Sequence, residues 1–136
     1  LKSHIDELID LLDMHSIAQR RTDGFSLGEK TKVALARAIV HQPKHVLLDE
    51  PTNGLDVMTT RAVRQLLHRL RDQGRCILFS SHLMHEVENL CDRVIIIAKG
   101  NIIADGSVSE VMEKAGARTM EEAFVTLACG EELAHV

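Results

Sequence analysis

Residues 45–56 read HVLLDEPTNGLD. HVLL is β-branched and leucine-rich, too short for a helix and suited to a buried strand. It ends in two adjacent carboxylates, Asp49 and Glu50, and Pro51 then stops the strand. Thr52, Asn53 and Gly54 turn the chain sharply, and Asp56 stands where a helix would begin.

The pattern around this stretch alternates between helix and strand. Ile5, Leu8, Ile9 and Leu12 recur at helical spacing in HIDELIDLLDM, and AQRRTDGF is a polar loop. SLGEKTKVALARAIVHQP, from residue 26, reads as a second helix, with Ser26 and Glu29 at capping-box spacing and Pro43 at its end. Val63, Leu66, Leu67 and Leu70 mark a helix after the turn, and Gly74 follows its end. CILFS, from residue 76, predicts a second buried strand. HLMHEVENLC places Leu83, Val87, Leu90 and Cys91 on one helical face. RVIIIA predicts a third strand, KGN turns it into IIAD as a hairpin, and helical segments follow near 107–115 and 119–129. Unbroken apolar strands separated by helices predict an α/β fold with a parallel sheet covered on both faces. Ligands of such sheets bind beyond the carboxyl ends of the strands, where Asp49, Glu50, Ser80, Ser81 and His82 fall. No internal repeat, low-complexity tract or linker interrupts the chain, which reads as one domain.

Composition narrows the function. Net charge is −4 over 136 residues with both signs interspersed, so no nucleic acid or anionic lipid surface is expected as a partner. Trp and Tyr are absent and Phe occurs only at 25, 79 and 124, which argues against base-stacking platforms. Cys76, Cys91 and Cys129 have no C-x-x-C spacing, so a reducing compartment fits better than a disulfide or metal framework. The apolar runs are too short to span a bilayer and no basic leader opens the chain, so it reads as soluble and cytoplasmic. His85 and Glu86 do not complete H-E-x-x-H, because position 89 is Asn. The histidines at 4, 15, 41, 45, 68 and 135 show no ligand spacing, and Lys30, Lys32 and Arg37 read as a solvated helix face.

Two acids at a strand's carboxyl end form the Walker B arrangement of phosphate-handling folds. Asp49 is expected to hold Mg²⁺, mainly through its water shell. Glu50 is expected to orient and deprotonate an attacking water. The plainer alternative is a strand end and a helix-entry turn, with Asp56 as the cap.

Motifs in family order extend this to a resemblance. FSLGEK (25–30) resembles the signature motif of ATP-binding cassette (ABC) ATPases, HVLLDEP the Walker B segment, TNGLD the D-loop, and SSHLMHE (80–86) the switch-histidine region. To about residue 110 the chain resembles the C-terminal part of an ABC nucleotide-binding domain. The resemblance implies a partial P-loop NTPase (RecA-like) three-layer fold with a mainly parallel sheet, plus part of the ABC helical subdomain. It divides the chain into a helical and signature segment (1–42), a core with Walker B, D-loop and switch histidine (43–106), and C-terminal helices (107–136). It implies ATP and Mg²⁺ as cofactors, Asp49 at the metal, and Glu50 and His82 as catalytic residues. Ser26, Gly28, Glu29 and Asp56 would serve nucleotide binding across a dimer. TNGLDV with SSHLMHEVE most resembles ABC-2-type exporters, including the bacterial sodium-extrusion type. The implied partners are a membrane-spanning transporter subunit and a second ATPase domain in a homodimer, at the inner face of the cell membrane. The alternatives are a non-transport ABC ATPase of the translation-factor or DNA-repair type, and a catalytically incompetent interaction fragment.

The sequence departs from the family pattern at Leu27, where glycine is usual, and at Glu29, where Gln is common. No G-x-x-x-x-G-K-S/T occurs in the 136 residues, so the chain resembles a truncated domain lacking the Walker A cradle. It is expected to be inactive alone and to carry apolar sheet edges that favour self-association.

Overall fold

In a computed structural model, residues 2–134 are described; His135 and the Cys129 side chain lie outside the described residues. The chain forms two compact units that meet in sequence between Ser80 and Ser81.

The first unit holds helices α1 (Lys2–Leu11), α2 (Leu27–Ile39) and α3 (Val57–Asp72), and strands β1 (His45–Leu48) and β2 (Cys76–Phe79). Leu8 of α1 and Leu12 just past its end are buried, while Ile5 of the same stripe is exposed; Leu35 and Ile39 are buried on α2. Ser26 caps α2 through the expected capping box with Glu29. Asp56 caps α3, and Gly74 follows its C-cap Gln73 with φ +77°, a conformation that favours glycine.

Strands β1 and β2 pair in parallel, with His45 opposite Cys76 and Leu48 opposite Phe79. The ladder continues past both ends, from Cys76 N–H to Lys44 O (2.9 Å) and from Ser80 N–H to Leu48 O (3.0 Å). Helix α3 packs on β2, and its Val63, Leu66, Leu67 and Leu70 are buried, as is Val46 of β1. The opposite face is not covered as expected from the unbroken apolar run. Leu47 is 75% and its register partner Leu78 61% exposed.

The second unit holds α4 (Met84–Leu90), β3 (Val94–Ala98), β4 (Asn101–Gly106), α5 (Val108–Ala115) and α6 (Met120–Ala134). The expected hairpin forms: β3 and β4 pair antiparallel, joined by Lys99 and Gly100, both at positive φ. The third apolar strand was expected in the parallel sheet. Among the described residues its ladder partner is β4, so the strands form two two-stranded sheets. Val87, Val94, Ile96, Ala104, Val111, Met120 and Ala123 close the core of this unit. A second capping box, Ser107 with Glu110, starts α5.

Candidate functional site: a strand-end acid pair and two helix caps

The first group of site residues sits where β1 ends. Parallel register carries the chain from Leu48 opposite Phe79 to Asp49 beside Ser80. Ser80 Oγ donates to Asp49 Oδ1 at 2.5 Å and accepts the Glu50 N–H at 3.0 Å. Glu50 has φ +46°, in the left-handed region that costs a residue with a Cβ about 1–2 kcal/mol. The chain reverses there: Asn53 N–H reaches Glu50 O (3.1 Å) and Leu55 N–H reaches Thr52 O (3.3 Å). Pro51 and Thr52 are buried, while Asp49 is exposed and Glu50 half-buried. A hydrogen-bonded turn thus carries two acids at the end of a parallel strand.

The second group lies at the starts of α2 and α3. Ser26 Oγ accepts the Glu29 N–H at 3.2 Å, and Glu29 Oε2 accepts the Ser26 N–H at 2.7 Å. The Glu29 carboxylate is therefore folded back on the cap, with Arg20 3.5 Å away. The Ser26 N–H holds the Glu29 carboxyl below the usual carboxylate range, and desolvation offsets this only in part. Asp56 spends both oxygens on α3: Oδ1 accepts from the N–H groups of Met58 (3.0 Å) and Thr59 (2.9 Å), and Oδ2 from the Thr59 hydroxyl (2.7 Å). The Thr59 hydroxyl, then its N–H, holds the Asp56 carboxyl below its ordinary value. The two helix starts touch. A Cβ on Gly28 would lie 3.0 Å from Thr59 Oγ1 and 3.3 Å from Asp56 Oδ2. Glycine at 28 is what allows that approach.

In the second unit, His82 is exposed just before α4, and Ser81 Oγ accepts the Leu83 N–H at 3.0 Å. Glu86, read as part of the SSHLMHE segment and of a failed zinc motif, is 1% exposed. Burial pushes the Cys91 thiol up to about 11, which leaves it a poor nucleophile.

The structure thus joins Asp49 and Glu50 through Ser80, and gathers Ser26, Gly28, Glu29 and Asp56 at two helix starts. Sequence reading placed Ser80 at the ligand-binding strand ends without joining it to the acids, and assigned no role to Thr59. The signal for Ser80 was present: HVLL and CILF, equal in length, are each followed by a polar residue. Lys32, expected on a solvated face, is half-buried and donates to Asp13 O at 3.1 Å. His4 and His15 pair with the acids Glu7 (3.1 Å) and Asp10 (2.8 Å).

The donor set at the strand ends suits Mg²⁺. Asp49 offers hard carboxylate oxygens in an exposed position, and a hydrated Mg²⁺ needs only one or two such groups. Among the described residues no cluster of three or more His, Cys, Asp or Glu forms a closed metal cage.

A parallel strand pair, one strand of which ends in two acids, with capped helix starts beside it, is an α/β arrangement consistent with part of a P-loop NTPase fold. The ABC transporter family model matches residues 1–53. The ABC transporter ATP-binding protein NatA of Bacillus subtilis (strain 168) is 38% identical over 126 residues, 93% of this chain and 51% of the relative. The bacitracin transport ATP-binding protein BcrA of Bacillus licheniformis is 37% identical over 105 residues, 76% of this chain and 34% of the relative. A solved ATP-binding subunit of an ABC transporter superposes with a TM-score of 0.84 at 26% identity, over 93% of this chain and 53% of that one. The chain thus matches part of the ATP-binding domain of ABC transporters. It spans about half or less of the length of the curated relatives it matches.

Proposed function

We propose that this chain is the part of an exporter's ATP-binding subunit that carries the hydrolytic acids, the switch histidine and the signature helix. The observation that carries the reading is the joining of Asp49 and Glu50 at the end of a parallel strand through one hydroxyl. It is supported by the names of the relatives, one of which is a bacitracin transport ATP-binding protein.

In this reading Asp49 would hold Mg²⁺ through its water shell, and the ion, when bound, would supply charge neutralisation to the phosphates. Glu50 accepts the proton of the attacking water, which puts the base one residue from the metal-holding acid. His82 donates to the γ-phosphate, where charge develops. Ser26 and Gly28 open α2 and face the nucleotide of a second ATPase domain, because helix N-termini favour phosphate. Glu29 stays in the cap and keeps the helix start ordered, so it need not oppose the phosphate. Asp56 shapes the turn that runs along the dimer interface.

The complete protein is then a cytoplasmic homodimer seated on a membrane-spanning subunit at the inner face of the cell membrane. Among the described residues no helix is long and apolar enough to cross a membrane. Substrate choice belongs to the membrane subunit.

The test is Glu50→Gln in the intact ATP-binding subunit. The amide keeps the shape but cannot take the proton, so hydrolysis should nearly vanish while ATP binding survives. Steady-state turnover within a fewfold of the parent would remove Glu50 as the base.

A further inference from the structure

Asp49 and Glu50 are neighbours in the chain, yet a single side chain from the adjacent strand touches both. Ser80 Oγ gives its proton to Asp49 Oδ1 (2.5 Å) and takes the Glu50 N–H (3.0 Å). A hydroxyl has one proton to donate and lone pairs to accept with, and here both capacities are used. The ladder puts it there. Ser80 N–H bonds Leu48 O at 3.0 Å, one step beyond the Leu48–Phe79 register pair, and paired residues of parallel strands show their side chains on one face.

The Glu50 backbone needs such support. At φ +46° it sits in the left-handed region, and its N–H is held by the Ser80 hydroxyl rather than by a strand partner. The same hydroxyl engages Oδ1 of Asp49 and so orients the plane of that carboxylate.

We propose that Ser80 is a positioning residue that sets the Asp49 carboxylate and the Glu50 backbone together, so that the metal-holding and water-activating acids act as one unit. The proposal rests on the ABC ATPase reading given above. In this proposal Ser80 acts through the two acids. Ala at 80 would leave Asp49 Oδ1 and the Glu50 N–H to water. Valine would fill the space without a donor or acceptor, and threonine would keep the hydroxyl.

Two measurements test this. In the intact subunit, Ser80→Ala and Ser80→Val should lower kcat about 10–100-fold, the range seen when a partner that orients a metal ligand is lost. Both should raise the Mg²⁺ concentration for half-maximal turnover, with KM for ATP little changed, while Ser80→Thr stays near the parent. Parental kcat and Mg²⁺ dependence in the Ala and Val variants would overturn the proposal, as would a Thr variant no better than Val. Loss of helical circular dichroism in both the Ala and Val variants, with Thr intact, would also overturn it, by making the hydroxyl a folding requirement. The second measurement is independent of ATPase activity. In the 136-residue chain, the Glu50 amide should exchange slowly in the parent and Ser80→Thr, and fast in Ser80→Ala and Ser80→Val. Equal exchange in all four overturns the proposal even if Glu50→Gln abolishes hydrolysis and the ATPase reading stands. Slow exchange as expected, alongside an active Glu50→Gln subunit, would overturn the ATPase reading instead.

Discussion

Leu27 lies against Gly54: a Cβ built on Gly54 would stand 3.3 Å from Leu27 Cδ2. Leu27 is the first residue of α2, where the resemblance to the ABC signature motif implies glycine. Gly54 lies in the TNGLD turn at φ +70°. The bulk added at 27 is thus met by the absence of a side chain at 54.

Gly54→Ala should therefore destabilise the chain twice over. The left-handed conformation alone costs alanine about 1–2 kcal/mol, and crowding against Leu27 adds to it. Thermal unfolding of Gly54→Ala, Leu27→Ala and the double variant separates the two contributions. The Gly54→Ala cost should shrink in the Leu27→Ala background. An equal cost in both backgrounds would mean that the leucine does not crowd the turn.

Asp56 gives a pH-dependent prediction. Its folded carboxyl is held below the ordinary value by the Thr59 hydroxyl first, then by backbone N–H groups. A depressed folded pKa adds stability above the unfolded value of about 4, and that stability is lost as pH falls through the lower folded value. Asp56→Asn keeps an effective helix cap but does not titrate. Melting temperatures measured downward from pH 6 should fall less steeply below about pH 4 in the Asn variant than in the parent. Glu29 and Glu110 are depressed by their own capping boxes in both proteins, so their contribution cancels. Parallel curves would show that the Asp56 bonds do not favour the ionised form.

What the sequence discloses here is what depends on near neighbours. The Ser26–Glu29 box, the Gly74 stop and the Lys99–Gly100 hairpin each rest on residues a few positions apart, and each forms as read. The same rule applied at Ser107 and Glu110 would have found the second box. HVLL also forms a strand over its four residues. Its burial was misread, since an unbroken apolar run says that a strand is to be covered and not by what. Leu47 and Leu78 stay exposed in spite of that run. The Ser80 bond to Asp49 joins positions 31 apart, and depends on a register that apolar runs alone do not specify. At the site, the acids and helix caps were legible as residue types at strand and helix ends. The hydroxyl joining the acids became visible only once the strands were paired.

The last prediction concerns the 136-residue chain alone: it should neither bind Mg-ATP tightly nor hydrolyse it, and it should self-associate. A nucleoside triphosphate gets much of its hold from a loop of backbone N–H groups and a lysine, and no G-x-x-x-x-G-K-S/T occurs in these residues. Asp49 and Glu50 bring negative charge to the strand ends, and a base can act only on a water aligned against a phosphate already held. The exposed sheet faces point the same way. Leu47 and Leu78 pair across one sheet and Ile97 and Ile102 across the other, and all four are exposed. Apolar faces of that kind favour association in water. Calorimetric titration with Mg-ATP should therefore give no saturable heat in the micromolar range, and sedimentation should show mass rising with concentration. Replacing Leu47 and Leu78 by threonine should reduce that rise, since threonine keeps the strand propensity and removes most of the apolar surface. Stoichiometric micromolar binding with phosphate release would mean that these residues contain a phosphate cradle of another kind. A monomer at all concentrations would mean that the two exposed leucines do not drive contact between copies.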